Sequence, residues 1–587
     1  MSYSNSFPQQ RPTLNLDFAN SGKLDSRISY SRSSTGTYLS NEKALNSENL
    51  LLDSKTGTGN WTRDRSGAAL VPVITANHSA SPDGTANQAT RVQLDLNGST
   101  TPSDYARYYQ AHNVASGTSA TFAVWMRSTD GASSYAAQIL SPAGPGVAVS
   151  ITGSWQKFTV TADSSGNITY GVRLRGGQTP TNADTADILI WGANLSTIGQ
   201  TVLSETTSQI HREYSPLLKT AAADAARFEY AADGQSDAGS PLGLLIESSA
   251  SNLLPYGHNG YNSSNNFSMT LVDLIASQNA AVSPSGLLDA TLLTDTGGLT
   301  QHRFDTGISG LDSSKKYTLS GYFKATGTTT SMSLRISSGN TYGAEFNFST
   351  GYVGTYGAAP ESYTFAPVGN GWIRVSITAR LVGGSTASLR INTNLGDVQS
   401  DDYSGMLIYG LQFEEGSSPS SVLLTSGSAL TRASDSCSVA TADFGFTGGP
   451  VSVYADANAG AGSYPCVFAL YPGATSSSSI RVFRNLPSST EQTDFRFNVK
   501  LNTVSEVLLT PAGSGAVSKF AIRADTNSFA VKSSGLTQQS DTSCAMPVPD
   551  TLEIGGGPSV GQLNGTIRNL MLWNVAISDT ELSALVD

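Results

Sequence analysis

Charge is what this sequence has least of. Asp, Glu, Lys and Arg make up 13% of its 587 residues, about half the share of an average globular domain. The balance is acidic, with 45 Asp and Glu against 34 Lys and Arg and a net charge of −11. No Lys/Arg-rich run occurs, so the electrostatic footprint of a nucleic-acid partner is missing. Cysteine is scarce as well: Cys437, Cys466 and Cys544 stand alone, without a CxxC pair. Free, buried thiols are the expectation, with one disulfide formed after release as the alternative. The five histidines, His78, His112, His211, His258 and His302, are scattered, HExxH is absent, and "GGGPSVG" at 555–561, lying within β sequence, reads as a turn. No apolar run reaches the roughly 18 residues a membrane span needs. The opening "MSYSNSFPQQ" carries neither a basic nor an apolar signal region, so synthesis in the cytoplasm without a signal peptide is expected. Amphipathic helices and coiled-coil heptads are nearly absent.

The chain is rich in turn formers and in short β-prone runs. It holds 58 Gly, and Tyr (23) and Phe (20) far outnumber Trp (6). Runs of β-branched and aromatic residues, broken by Gly, Ser, Asn and Asp, recur about every ten residues, the mark of antiparallel β structure. The fold class expected is all-β. The length exceeds what one core can hold, so several domains are expected.

An internal repeat organises the chain. "NLLLDSKTGTGNW" from Asn49 corresponds to "NLLPYGHNGYNSSNNF" from Asn252, and "SPDGTANQAT" to "SPSGLLDAT". "TFAVWMRST" corresponds to "TLSGYFKAT", "GSWQKFTVTA" to "NGWIRVSITA", and "DILIWGANLS" to "GMLIYGLQFE". Two copies of one β-sandwich, at 46–198 and 250–436, are expected, with Trp155 and Trp372 closing onto the strands of Trp191 and Tyr409. Strand-like segments 1–45 and 199–249 flank the first copy. "LNLDFA", "ISYSRSSTGTYLS", "ARFEY" and "LGLLIE" are expected to meet as one small discontinuous unit, because a lone two-stranded ribbon is marginal in water.

These flanking elements resemble the opening of a group of tailed-bacteriophage structural proteins of tail-fibre and head-fibre type. The pattern is carried by Leu16–Phe18, Arg32–Tyr38, Arg227–Tyr230, Gly243–Glu247 and Asn252–Leu254. It departs from that group where the first sandwich intervenes, and where "SSASNLL" stands in place of an Arg-Thr before Asn-Leu-Leu. The resemblance implies that Asn-Leu-Leu leads into a carbohydrate-binding-module-like sandwich. Residues 437–587, ending "LEIGGGPSVGQLNGTIRNLMLWNVAISDTELSALVD", resemble a concanavalin A/laminin G-type jelly roll closed by a short helix. Ser578 and Glu581 form a capping box at the start of that helix.

The resemblance implies a virion protein displayed on the particle and built as a homo-oligomer. Its partners would be other virion proteins, of tail, baseplate or capsid, and host cell-surface glycans. A tail fibre or tailspike-like adhesin is the leading reading. A capsid decoration or head-fibre protein and a polysaccharide depolymerase are the alternatives. A glycosidase needs two carboxyls held about 5–10 Å apart; pairs such as Asp401/Asp402 and Glu414/Glu415 carry no such signature, so no catalytic residues are expected. Sugar-stacking candidates are Tyr105, Tyr108 and Tyr109 in the first copy and Tyr342 and Tyr356 in the second, since a Tyr ring offers both an apolar face and a hydroxyl. No cofactor is expected beyond a structural calcium, for which Asp187 and Asp402, each just ahead of a closing strand, are the candidate ligands.

Overall fold

The computed structural model describes Pro8 and residues 10–587, apart from 83, 145, 179–182, 199–202, 204, 233–238, 259–269, 297–301, 328, 383, 394–404, 461, 463, 474–476, 485–494 and 512–517. Strands account for 56% of the chain and helices for 3%, so the protein is all-β. Two compact units are present: 44–215, and 1–43 together with 216–587. Gly36–Asn49 and His211–Ala221 pair with each other.

The unit 44–215 is a sandwich of two five-stranded antiparallel sheets. One runs Gly146–Ile151, Tyr135–Leu140, Asn167–Arg175, Tyr105–Asn113, Thr62–Ser66. The other runs Gln156–Asp163, Ser119–Ser128, Thr185–Ser196, Ala89–Asp95, Val73–Ser79. Alternate residues of each strand meet in a core that includes Phe122, Ile139, Tyr170, Val172 and Ile188, the period-2 pattern of a half-buried strand.

Residues 250–436 repeat the plan with two six-stranded sheets. The correspondence reaches single hydrogen bonds. The carboxamide oxygen of Asn49 accepts from the N–H groups of Leu51 and Leu195, both at 3.1 Å, and its NH2 donates to the Ala193 carbonyl. Asn252 does the same with Leu254 and Phe413, both at 3.1 Å, and with the Leu411 carbonyl. Just before each site Gly192 and Gly410 adopt φ of +64° and +58°, left-handed values at which the closing strand shifts register and which a Cβ would strain. The tryptophans sit as the repeat requires: Trp155 packs with Trp191, and Trp372 with Tyr409.

The third sandwich draws strands from three regions of the chain. Leu14–Asp17 and Pro241–Ile246 lie end to end along Gly565–Trp573, with Phe228–Tyr230 outside the latter. Ser29–Ser31 pairs with Ser436–Ala440 in the facing seven-stranded sheet. Leu14, Leu16, Phe18, Leu244 and Ile246 are all buried in the same core as Val453, Phe468 and Leu572. The small separate unit expected of these elements is corrected: Leu14–Asp17 and 228–246 are joined only through Gly565–Trp573, Ser29–Ser31 lies in the facing sheet, and all of them belong to the third sandwich. Strand edges carry unpaired N–H and C=O groups, and Gly565–Trp573 supplies the complement to both.

Where these segments converge lies a buried ionic network. Arg227 bonds Glu247 and Asp435 at 2.6 Å each. Asp435 also accepts from Tyr30 at 2.5 Å and from Arg32, and Ser421 donates twice to Glu247. Three charged members of the resemblance motif, Arg32, Arg227 and Glu247, are thus employed in joining three distant parts of the chain. The final helix, Asp579–Val586, starts with the expected Ser578/Glu581 capping box and buries Leu582, Leu585 and Val586 against Trp573.

Candidate glycan-binding face of the first sandwich

The alternation of Tyr105–Asn113 sends its tyrosines to opposite sides. Tyr108 points inward, 3% exposed. Its hydroxyl donates to the Gly57 carbonyl at 2.6 Å and its ring packs on Trp61. Burial pushes its hydroxyl up to about 12. The stacking role expected of Tyr108 is corrected here: a core ring has no face to offer a ligand. Tyr105 and Tyr109 point outward and are half-buried. Between them stands Arg107, its guanidinium 4.8 Å and 4.3 Å from their ring centroids, a cation–π ladder along one strand. Asp64 on the adjacent edge strand accepts from Arg107 at 2.8 Å.

Directly across from Arg107 in the next strand is Arg173, and across from that Gln138. Arg173 donates from Nε to the Gln138 side-chain oxygen at 2.7 Å, and Gln138 in turn donates to Gln178. Gly146 leaves room for this arrangement, since a Cβ there would stand 2.9 Å from Arg173 Nη2. Arg175 completes the face, its Nε donating to the Pro102 carbonyl. Partial burial and the neighbouring charges of Arg175 and Arg107 bring the Arg173 guanidinium down to about 10. The outer face is therefore cationic and hydrogen-bonding, with tyrosine rings as its walls.

The other expected site residues lie elsewhere. Tyr342 is packed against the core of the second sandwich. Tyr356 has its ring covered by the Arg335 guanidinium at 3.3 Å. Both rings are half-buried, and the guanidinium over Tyr356 stands as Arg107 does over Tyr105 and Tyr109. Asp187 takes Arg91 through both of its carboxylate oxygens, and Thr129 donates to it at 2.8 Å. A guanidinium thus already provides the positive charge a calcium would bring. Asp402 lies outside the described residues. Among the described residues no group of three or more His, Cys, Asp and Glu side chains could hold a metal ion. Arg107 and Arg173 were missed in the sequence, although the alternation "YARYYQ" places Arg107 on one face with Tyr105 and Tyr109.

A cavity lies in the other unit. This cavity of about 200 Å³ is lined by Tyr38, Glu229, Tyr230, Tyr322 and Arg374 among others. Glu229 accepts from the Leu39 N–H, while its Oε2 is buried without a hydrogen-bond partner. Burial pushes this carboxyl up to about 8.

The sequence matches no protein-family model and no curated protein. Among solved structures the chain is similar to the N-terminal CBM22-1–CBM22-2 tandem of Paenibacillus barcinonensis Xyn10C, at 10% identity and a TM-score of 0.20, covering 64% of this chain and 99% of that one. It is also similar to domains LG4-5 of the mouse laminin alpha1 chain, at 10% identity and a TM-score of 0.16, covering 48% and 89%. At these TM-scores neither likeness bears on the reading of the site, which stands on its residues.

Proposed function

We propose that this chain is a bacteriophage virion protein that binds host-surface glycans without cleaving them, as a tail fibre or tailspike-like adhesin. The observation that carries the binding half is the outer sheet face of the first sandwich. There Tyr105, Arg107, Tyr109 and Arg173 present ring edges and a row of donors on a rigid sheet, the combination that orients a hydroxylated ligand. The virion half rests on the motif series Leu16–Phe18, Arg32–Tyr38, Arg227–Tyr230 and Gly243–Glu247. Copies displayed together as a homo-oligomer on the particle would turn weak single-site affinity into firm adhesion.

The test is immunogold labelling of intact virions with antibody raised against the whole chain, paired with binding of the purified protein to host-surface polysaccharide. Gold at the tail tip together with binding and an unshortened polymer is the expected result. Gold over the capsid would make the protein a decoration or head-fibre protein. Loss of polymer length on incubation would make it a depolymerase.

A further inference from the structure

The two sandwiches treat one position of the same face in opposite ways. In the second copy the strand pair corresponding to Tyr105–Asn113 and Asn167–Arg175 is Arg303–Ser309 and Thr386–Asn392. Arg390 takes the place of Arg173: it lies across from Arg335, as Arg173 lies across from Gln138. On its other side Arg390 faces Asp305, where Arg173 faces Arg107. Asp305 accepts from Arg390 and from Arg303, both at 2.7 Å. The second sandwich thus supplies its own carboxylate between two guanidiniums. In the first sandwich that carboxylate has become Arg107, and Arg173 has no acidic partner among the described residues. The one acid of the row, Asp64, lies beyond Arg107 on the far side.

Two guanidiniums directly opposite one another on a sheet repel, and like charges in that position destabilise the pair. Their forks are well suited to a carboxylate arriving from solution, which can accept from both. The walls fit a sugar ring: Tyr105 and Tyr109 flank Arg107, and the half-buried Gln178, held by Gln138, offers its amide to hydroxyls.

We propose that this face binds acidic saccharides, the sugar carboxylate seating between Arg107 and Arg173 in the position Asp305 occupies in the second sandwich. The proposal rests on the glycan-binding reading above and narrows it to uronic- or sialic-type sugars.

The experiment is calorimetric titration of the full chain with oligogalacturonate, hyaluronan oligosaccharides and sialyllactose. Each is matched by its carboxyl-reduced counterpart, and neutral host-type oligosaccharides form a separate arm. Binding of at least one acidic probe is expected, weakened tenfold or more by carboxyl reduction, by Arg173→Ala, and by raising salt from 50 to 500 mM. Which acid binds separates uronate from sialate. The double substitution Asp64→Thr/Arg107→Asp copies the Thr270–Asp305 pair of the second sandwich and should abolish acidic binding while leaving the thermal transition in place. This guards against reading a folding defect of Arg173→Ala as loss of a site. Equal affinity for acidic and reduced probes, or acidic binding untouched by both variants, overturns the acidic assignment and leaves glycan binding standing. No binding of any probe, acidic or neutral, overturns the glycan reading itself.

Discussion

The Arg32 guanidinium and the Asp435 carboxylate, 403 positions apart in sequence, meet at 3.2 Å with neither side chain reaching solvent. Arg227 bonds the other oxygen of the same carboxylate at 2.6 Å. Removing one member of such a network leaves a charge buried and unmatched, which costs about 3–5 kcal/mol. Asp435→Ala should lower the unfolding free energy of the unit that contains it by that amount, read from its urea titration. Asp579→Ala, which removes an exposed partner of Arg523, should cost under about 1 kcal/mol. Equal effects in urea titrations would mean the network contributes no more than a surface pair.

Two carboxyls give stability opposite pH slopes. Burial pushes Glu229 up from its ordinary 4.5 to about 8. Between those values the native chain holds a proton the unfolded chain has released, so stability falls as pH rises from about 4.5 to 8. Glu229→Gln should flatten that decline, read as melting temperature against pH. For Glu247 burial alone would raise the carboxyl, but Arg432, Arg227 and Ser421 outweigh it and hold it at about 2. Its contribution is fully present above 4.5 and is lost as pH falls towards 2, so Glu247→Gln should be costly at pH 7 and nearly neutral near pH 2.

Asn49 and Asn252 each tie the entering chain to the closing strand of their own sandwich. Substitution by Ala strands two backbone N–H groups in either case, at about 1–3 kcal/mol per group. Asn49→Ala and Asn252→Ala should therefore each cost about 2–6 kcal/mol, and limited proteolysis should show the nick confined to the altered copy. A loss shared equally by both copies would contradict the local role.

Cys437, Cys466 and Cys544 are free and buried, and burial raises each thiol above its ordinary range. Both features slow reaction with a disulfide reagent, since the thiolate is the reactive form. The native protein should release almost no thionitrobenzoate, and three equivalents should appear in denaturant. Fewer than three after unfolding would reveal a disulfide.

By itself the sequence determined the local and the repeated. Period-2 runs and turn residues made the chain all-β, paired landmarks marked two copies of one sandwich, and Ser578 with Glu581 marked the final helix. These depend on neighbours within a few residues or on order along the chain, and both can be read in one dimension. Alternation also put Tyr105, Arg107 and Tyr109 on one face and Tyr108 on the other, but not which face was the core. Because the period is 2, a one-residue slip exchanges the two faces, and only packing against the second sheet chooses between them. The tertiary structure alone decided that Leu14–Asp17 completes a sheet with Gly565–Trp573, and that Arg173 faces Arg107 where its counterpart Arg390 faces Asp305. Strand partners and cross-strand neighbours are set by hydrogen bonding and burial between segments distant in sequence, and no local pattern records them.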